Sequence, residues 1–337
     1  MSVNISLLMP PGETRGMFVT PAVIKAFEGL GSLRVNDGGY TPENIRSLLE
    51  GCLVCVTGWG CPPLNRDLLG GAGSLRLVAH TGGSVASLVS DYLYDRGIRV
   101  ISGNKVYAES VAEGTLAYML ASLRRIPYYN GQMQNGVWKG ATSDCAGVLD
   151  KRIGLIGFGA IPRYLVPMLK VFRADITAYD PYVDGGVINS FGVKRADSMD
   201  ALFSGCDIIS NHMPRTKATY HLINERMFGL MRDGAVFINT ARGSTVDEGA
   251  MARAMQTGRI YAALDVYEEE PLPLDSKLRG LDNVILMPHM GGPTRDRCER
   301  VGLALAEDVG NLLDGKPLVH EISREYAAGM TNESLKF

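Results

Sequence analysis

Three short segments carry the side chains best suited to acid–base chemistry next to a carboxylate. INTARGSTVDEGAM (238–251) holds Arg242, AALDVYEEEPLP (262–273) holds Asp265 and Glu270, and ILMPHMGGP (285–293) holds His289. A guanidinium is a planar fork that grips a carboxylate with two hydrogen bonds. An imidazole titrates near neutrality and so can give or take a proton. A carboxylate beside that imidazole holds it and favours its charged form. Plainer roles stay open for each: Arg242 as a helix cap, Glu270 as one of three consecutive loop glutamates, His289 as a satisfied strand-end residue. Taken together beside a nicotinamide, the three are the parts needed to interconvert a ketone and an alcohol adjacent to a carboxylate.

A nicotinamide is suggested upstream. The stretch GLIGFGAIPRYLVPMLK (154–170) carries Gly157-x-Gly159 after an apolar strand pattern and before a helix-length segment. Gly157 makes the turn, Gly159 lets a backbone approach a pyrophosphate, and the amides of Ala160 and Ile161 point at the phosphates from a helix start. Asp180 ends the next strand pattern 23 positions after Gly157, where a ribose-binding acid is expected. With no Arg or Lys beside it in TAYDPY, Asp180 favours NAD over NADP. Pro162 stands where a third glycine is usual. A first-turn residue has no intrahelical N–H bond to lose, so proline is acceptable there. Pro167, further in, removes a real bond and should bend the helix.

These segments need a scaffold that brings strand ends together. Short apolar runs at 5–9, 52–57, 75–80 and 97–102 alternate with helix-length segments, among them TPENIRSLLEG (41–51) with its Thr cap, early Pro and closing Gly. A second series follows at 152–157, 174–180, 206–213, 234–240, 260–266 and 283–289. Near-continuous apolarity reads as parallel strands buried on both faces, and open parallel sheets bind ligands at their C-terminal ends. The expected fold class is α/β, with two doubly wound parallel-sheet domains. Between the two series, 109–129 reads as one long helix apolar over a broad face and 130–140 as a loop. A last helix is expected over 295–315.

Composition excludes other classes. The chain has 337 residues, 46% hydrophobic and 21% charged, with a net charge of −2 and no long basic run, so no nucleic-acid footprint is expected. No apolar run reaches membrane-spanning length, and the N-terminus lacks the basic start of a signal peptide. The six cysteines are scattered; Cys52 and Cys55 sit in the apolar run CLVCVTG and read as buried strand residues, with no metal site completed. A reduced, cytoplasmic protein is expected.

The set GLIGFGAI, YDP, NTARG, VDE, ALDVYEEEP and PHMGG resembles the D-isomer-specific 2-hydroxyacid dehydrogenase family over nearly the whole chain. The resemblance implies a flavodoxin-like substrate domain (1–103 plus 295–337) around an inserted Rossmann NAD-binding domain (104–294). It implies Arg242 as clamp on the substrate carboxylate and carbonyl, His289 as acid/base and Glu270 as its partner. Asp265 is similar to the family's aspartate near the nicotinamide, and Met213, Pro214, Thr240, Ala241 and Gly291 fall along the cofactor with Arg242 and His289. The amides of Gly82 and Gly83 would help hold the substrate carboxylate. The expected activity is NAD-dependent interconversion of a small 2-oxo acid and its D-2-hydroxy acid by a homodimer, with Trp138 similar to a position that reaches the partner's active site.

Two departures fall in the substrate half: Ala86 stands where the family loop commonly ends in aspartate, and Tyr107 where asparagine is usual. His80 and His212 read equally as pocket or packing residues. A non-enzymatic NAD-sensing corepressor shares the same triad, though little spare length for its extended arms is evident. A phosphite or short phosphoglycerate dehydrogenase also fits the scaffold, whereas Glu270 argues against a formate enzyme, which pairs its histidine with glutamine.

Overall fold

The computed structural model describes residues 3–139 and 144–335, and the chain separates into two compact units. The first comprises the residues up to Ala108 and those from Pro293 onward, and the second is Glu109–Gly292. In the first, β1 (Asn4–Leu7), β2 (Ser32–Val35), β3 (Val54–Thr57), β4 (Leu77–His80) and β5 (Arg99–Ser102) form one sheet of order β2-β1-β3-β4-β5. Each ladder between these strands is parallel. This is the flavodoxin-like order, with the crossover at β1 and β3. Val, Leu, Cys and Ala side chains of β3 and β4 are buried on both faces, against apolar clusters that include Phe18 and Phe27 on one side and Leu49 and Leu69 on the other.

The second unit contains β6 (Arg152–Ile156), β7 (Asp175–Tyr179), β8 (Lys194–Arg195), β9 (Ile208–Asn211), β10 (Val236–Asn239), β11 (Tyr261–Leu264) and β12 (Val284–Leu286). Their order is β12-β11-β10-β9-β6-β7-β8, all parallel. The order in which strands are added reverses between β6 and β9, the switch point where doubly wound sheets take dinucleotides. The α/β class with two doubly wound parallel sheets is therefore the architecture observed.

Three elements differ from the sequence expectation. β2 and β8 were not anticipated: SLRV is only partly buried and KR is exposed, so neither offers an apolar run. The single helix expected over 109–129 is two helices, Asn104–Leu123 and Ile126–Gln134. Arg125 adopts a left-handed φ of 50° between them, and Pro127 in the first turn of the second cannot donate back into the first. The loop expected over 130–140 thus begins only after Gln134; Gly140 lies outside the described residues.

The helix Ala160–Lys170 starts at Gly159 and carries Pro162, buried, in its first turn. It continues through Pro167, which is exposed. Leu165, Val166 and Leu169 are fully buried, each contributing about 1.5–3 kcal/mol, which outweighs the roughly 3 kcal/mol cost of an interior proline. Replacing Pro167 with Ala restores the bond to the Arg163 carbonyl and should raise the melting temperature by roughly 2–8 °C, after the greater freedom of the unfolded chain is deducted. A lower melting temperature in calorimetry would contradict this account.

Candidate active site

Gly157 follows β6 with φ of 88°, a left-handed conformation that only glycine takes at little cost. A Cβ there would stand 3.1 Å from the His212 carbonyl oxygen at the end of β9, so the two strand ends close on each other at the switch point. Gly159 brings no side chain to cap the helix start, and a Cβ on it would meet nothing within 4 Å. The result is an open cradle lined by the uncapped first-turn amides, which fits an anionic pyrophosphate. His212 adds to the fit. Its Nε2 is 2.9 Å from Ser210 Oγ, its Nδ1 is buried without a partner, and burial pulls its pKa down to about 3. Asp180 accepts the Phe158 amide on one oxygen (2.8 Å) and the amides of Tyr182 and Val183 (2.8 and 3.2 Å) on the other. The oxygen facing Phe158 keeps one acceptor position for a ribose hydroxyl.

Arg242 sits after β10 at the start of a tight turn, Gly243–Thr245. A Cβ on Gly243 would lie 1.8 Å from the Tyr267 carbonyl carbon, so this turn presses directly on the turn that carries Glu270. Beneath it lies a buried amide network. Asn211 Nδ2 donates to Asn239 Oδ1 (3.1 Å) and Thr245 Oγ1 (2.7 Å), and Asn239 Nδ2 and Thr245 Oγ1 both donate to the Arg242 carbonyl. The same two asparagines accept the amides of Met213 and Ala241 at 3.1 Å. Thr240 is buried and its hydroxyl is 2.9 Å from that of Thr115. Pro214 accepts the Thr219 hydroxyl on its carbonyl, which keeps the MPRT segment turned.

Glu270 and His289 come together. Glu270 Oε2 is 2.6 Å from His289 Nδ1, while Oε1 accepts the Tyr267 amide at 3.0 Å. The hydrogen bond to Glu270 raises the His289 pKa above the ordinary histidine value, against burial and the repulsion of Arg242. Burial works against the charge on Glu270, yet the bonds from His289 and Tyr267 and the positive charges of His289 and Arg242 leave its pKa below the usual value. Arg242 is therefore close enough for its charge to be felt by both partners.

Asp265 is 1% exposed and holds the histidine turn from behind. Its carboxylate accepts the amides of Met290 and Gly291, both at 2.7 Å, and the Tyr118 hydroxyl at 3.1 Å. These bonds fix the backbone of the turn that carries His289. Tyr118, Thr115, Asn211, Asn239 and Thr245 were missed by sequence reasoning. The one available signal was the polar residue at the end of each otherwise apolar strand, Asn211 in IISN and Asn239 in VFIN.

In the first unit, Gly82 and Gly83 follow β4. A Cβ on Gly82 would stand 2.5 Å from His80 Nε2, and one on Gly83 would stand 3.5 Å from the Tyr107 ring. His80 is buried, 3.0 Å from Thr57 Oγ1, and burial lowers its pKa to about 4, so it is uncharged at neutrality. Ala86 packs partly buried against the apolar cluster around Val85 and Leu88.

The family model for the NAD-binding domain of D-isomer-specific 2-hydroxyacid dehydrogenases matches residues 116–291. A D-3-phosphoglycerate dehydrogenase of Methanocaldococcus jannaschii is 34% identical over 294 residues, covering 87% of this chain and 56% of that protein. A hydroxypyruvate reductase of Thermotoga maritima is 36% identical over 247 residues, covering 72% of this chain and 79% of that protein. The chain thus spans about half the length of the phosphoglycerate dehydrogenases it matches, 56% and 49% for two archaeal ones. A solved phosphoglycerate oxidoreductase from Rhizobium etli has a TM-score of 0.82 at 27% identity, covering 96% of this chain and 99% of that one.

The Glu270–His289 pair sets a pH window. A raised histidine pKa supplies stability that is full below the ordinary histidine value and is lost as pH rises through the folded value. A depressed carboxylate pKa supplies stability present above the ordinary glutamate value and lost as pH falls through the folded one. The pair therefore contributes most between the two, modestly because both side chains are more than a third exposed. Glu270→Gln should move the His289 titration, followed by imidazole NMR, downward. An unmoved midpoint would contradict the pairing.

Proposed function

This chain belongs to the D-isomer-specific 2-hydroxyacid dehydrogenase family, and from that premise we propose that it reduces a 2-oxo acid to the D-2-hydroxy acid with NADH, and runs the reverse with NAD. The observation that carries the reading is the 2.6 Å contact between Glu270 Oε2 and His289 Nδ1. With Nδ1 committed to the carboxylate, the transferable proton sits on Nε2. The raised pKa favours the protonated form, as a proton donor to the substrate oxygen requires.

The nicotinamide, when bound, supplies hydride to the carbonyl carbon. The chain's own residues do the rest. Arg242 holds the substrate carboxylate and draws charge onto the carbonyl oxygen; for the Gly82 and Gly83 amides of the first unit the family resemblance implies a carboxylate-holding role. His289 gives its Nε2 proton to that oxygen, and Glu270 stabilises the imidazole while it is charged. Charge that develops on the oxygen meets two fixed positive groups, which is where most of the barrier lowering arises. The first-turn amides of Ala160 and Ile161 would hold the pyrophosphate and Asp180 the ribose, with Met213, Pro214, Thr240, Ala241 and Gly291 along the remainder. Asp180 carries charge that repels a 2′-phosphate, which supports NAD over NADP.

A homodimer is part of the proposal, supported by the apolar side chains left exposed along Ile126, Met133 and Trp138. A cytoplasmic location is supported by six free cysteines, of which Cys52, Cys55, Cys206 and Cys298 are buried. No helix among the described residues is long and apolar enough to cross a membrane.

NADH oxidation against a panel of 2-oxo acids tests the reading, and NADH should be preferred to NADPH. His289→Ala should lower turnover by about 100-fold or more, the usual loss for a general acid. Turnover within tenfold of wild type, or a preference for NADPH, would overturn the corresponding assignment.

A further inference from the structure

Resting on the 2-oxo acid reading, we propose that the Gly82–Gly83 turn carries a seat for an aromatic or bulky aliphatic substrate side chain, formed by Trp59 and Tyr107 over Phe18. The three rings make one cluster. Trp59 meets Phe18 edge-on at 5.4 Å between centroids (90°) and Tyr107 edge-on at 6.2 Å (81°), and Phe18 lies roughly parallel to Tyr107 at 6.3 Å (19°). Phe18 is 1% exposed and forms the base, whereas Trp59 leaves 53% of its surface open.

The cluster stands against the turn that would hold the carboxylate. A Cβ on Gly82 would lie 2.9 Å from Trp59 Nε1, and the atoms nearest a Cβ on Gly83 are all from the Tyr107 side chain. A 2-oxo acid bound by these amides carries its side chain only two bonds from the carboxylate carbon, within reach of the rings. Met9 adds a polarisable thioether to the support. It is 2% exposed, accepts the Thr81 hydroxyl on sulfur at 3.7 Å, and its side chain lies 2.5 Å from where a Cβ on Gly58, next to Trp59, would stand.

The charge balance favours the same class. A phosphorylated side chain needs fixed cations with N–H groups aimed at its oxygens. The aromatic faces here are electron-rich and repel it. His80, against Gly82, is uncharged at neutrality. Arg15, which bonds the Met9 carbonyl at 3.4 Å, is also committed to the Asn36 carbonyl at 2.7 Å. Tyr107 closes the turn with a ring whose hydroxyl is buried.

The test compares kcat/KM with NADH for phenylpyruvate, glyoxylate and 3-phosphohydroxypyruvate. Phenylpyruvate should exceed both others by about tenfold or more, the scale on which an apolar pocket discriminates. Trp59→Ala should shrink the phenylpyruvate-to-glyoxylate ratio by about tenfold, while Trp59→Phe, which keeps a ring, should preserve most of it. A second readout is spectroscopic. The chain has two tryptophans, so quenching of the intrinsic fluorescence by D-phenyllactate in the presence of NAD should be seen in the unsubstituted chain and largely lost in Trp59→Phe, which leaves Trp138 in place. Preference for the phosphorylated acid, a ratio unmoved by Trp59→Ala, or no quenching would overturn the inference. Failure to reduce any of the three acids would instead sink the dehydrogenase reading, and this inference with it.

Discussion

The buried carboxylate of Asp265 is the constraint on which the second unit's site depends. His289 takes a left-handed conformation, φ 55°, at a cost of roughly 1–2 kcal/mol for a residue with a side chain. Hydrogen bonds from the next two amides to a buried, charged acceptor contribute about 1.5–3 kcal/mol each, enough to hold the turn in that shape. The His289 amide also bonds the Asp265 carbonyl at 2.9 Å, so one residue grips three successive amides. A Cβ on Gly291 would stand 2.8 Å from the Asp265 carboxylate, which explains a glycine there. The outcome is an imidazole turned toward Glu270 before any ligand arrives.

A second close approach fixes the other half of the site. Gly243 lets the arginine turn lie on the backbone of Tyr267 and Glu268, and the glutamate turn closes on itself through the bond from the Tyr267 amide to Glu270. Arg242, Glu270 and His289 come from three strand ends, and backbone contacts hold those ends together. The side chains are thus left for chemistry. The asparagines at the ends of β9 and β10 serve the same purpose, since each is buried and satisfied by the other, by Thr245 or by backbone groups of the loops it organises.

Much of this was legible in the sequence because it depends on residue type at strand ends. The Arg, Glu and His stood out against apolar strands, and the glycine turn was recognisable despite Pro162, which falls beyond the two amides that face the cradle. What could not be read depends on partners distant in the chain. Tyr118 looks like one more residue of a broadly apolar helix until its hydroxyl is seen on Asp265, 147 positions away. β8 is a pair of charged residues whose strand character comes only from pairing with Thr177 and Ala178. Arg125 breaks a long helix through a single dihedral that no periodicity reports. The departures at Ala86 and Tyr107 were visible as departures, but their sense needed the packing: Ala86 lies on an apolar cluster and Tyr107 against Gly83.

The central claim is that this site delivers a hydride to C2 of a 2-oxo acid while His289 protonates the oxygen. A single turnover with NADH deuterated at C4 of the nicotinamide, followed by chiral separation and mass analysis of the product, tests it directly. The account predicts deuterium at C2 of the D-2-hydroxy acid. An L-product, or a D-product without deuterium from a cofactor deuterated on both C4 faces, would contradict it.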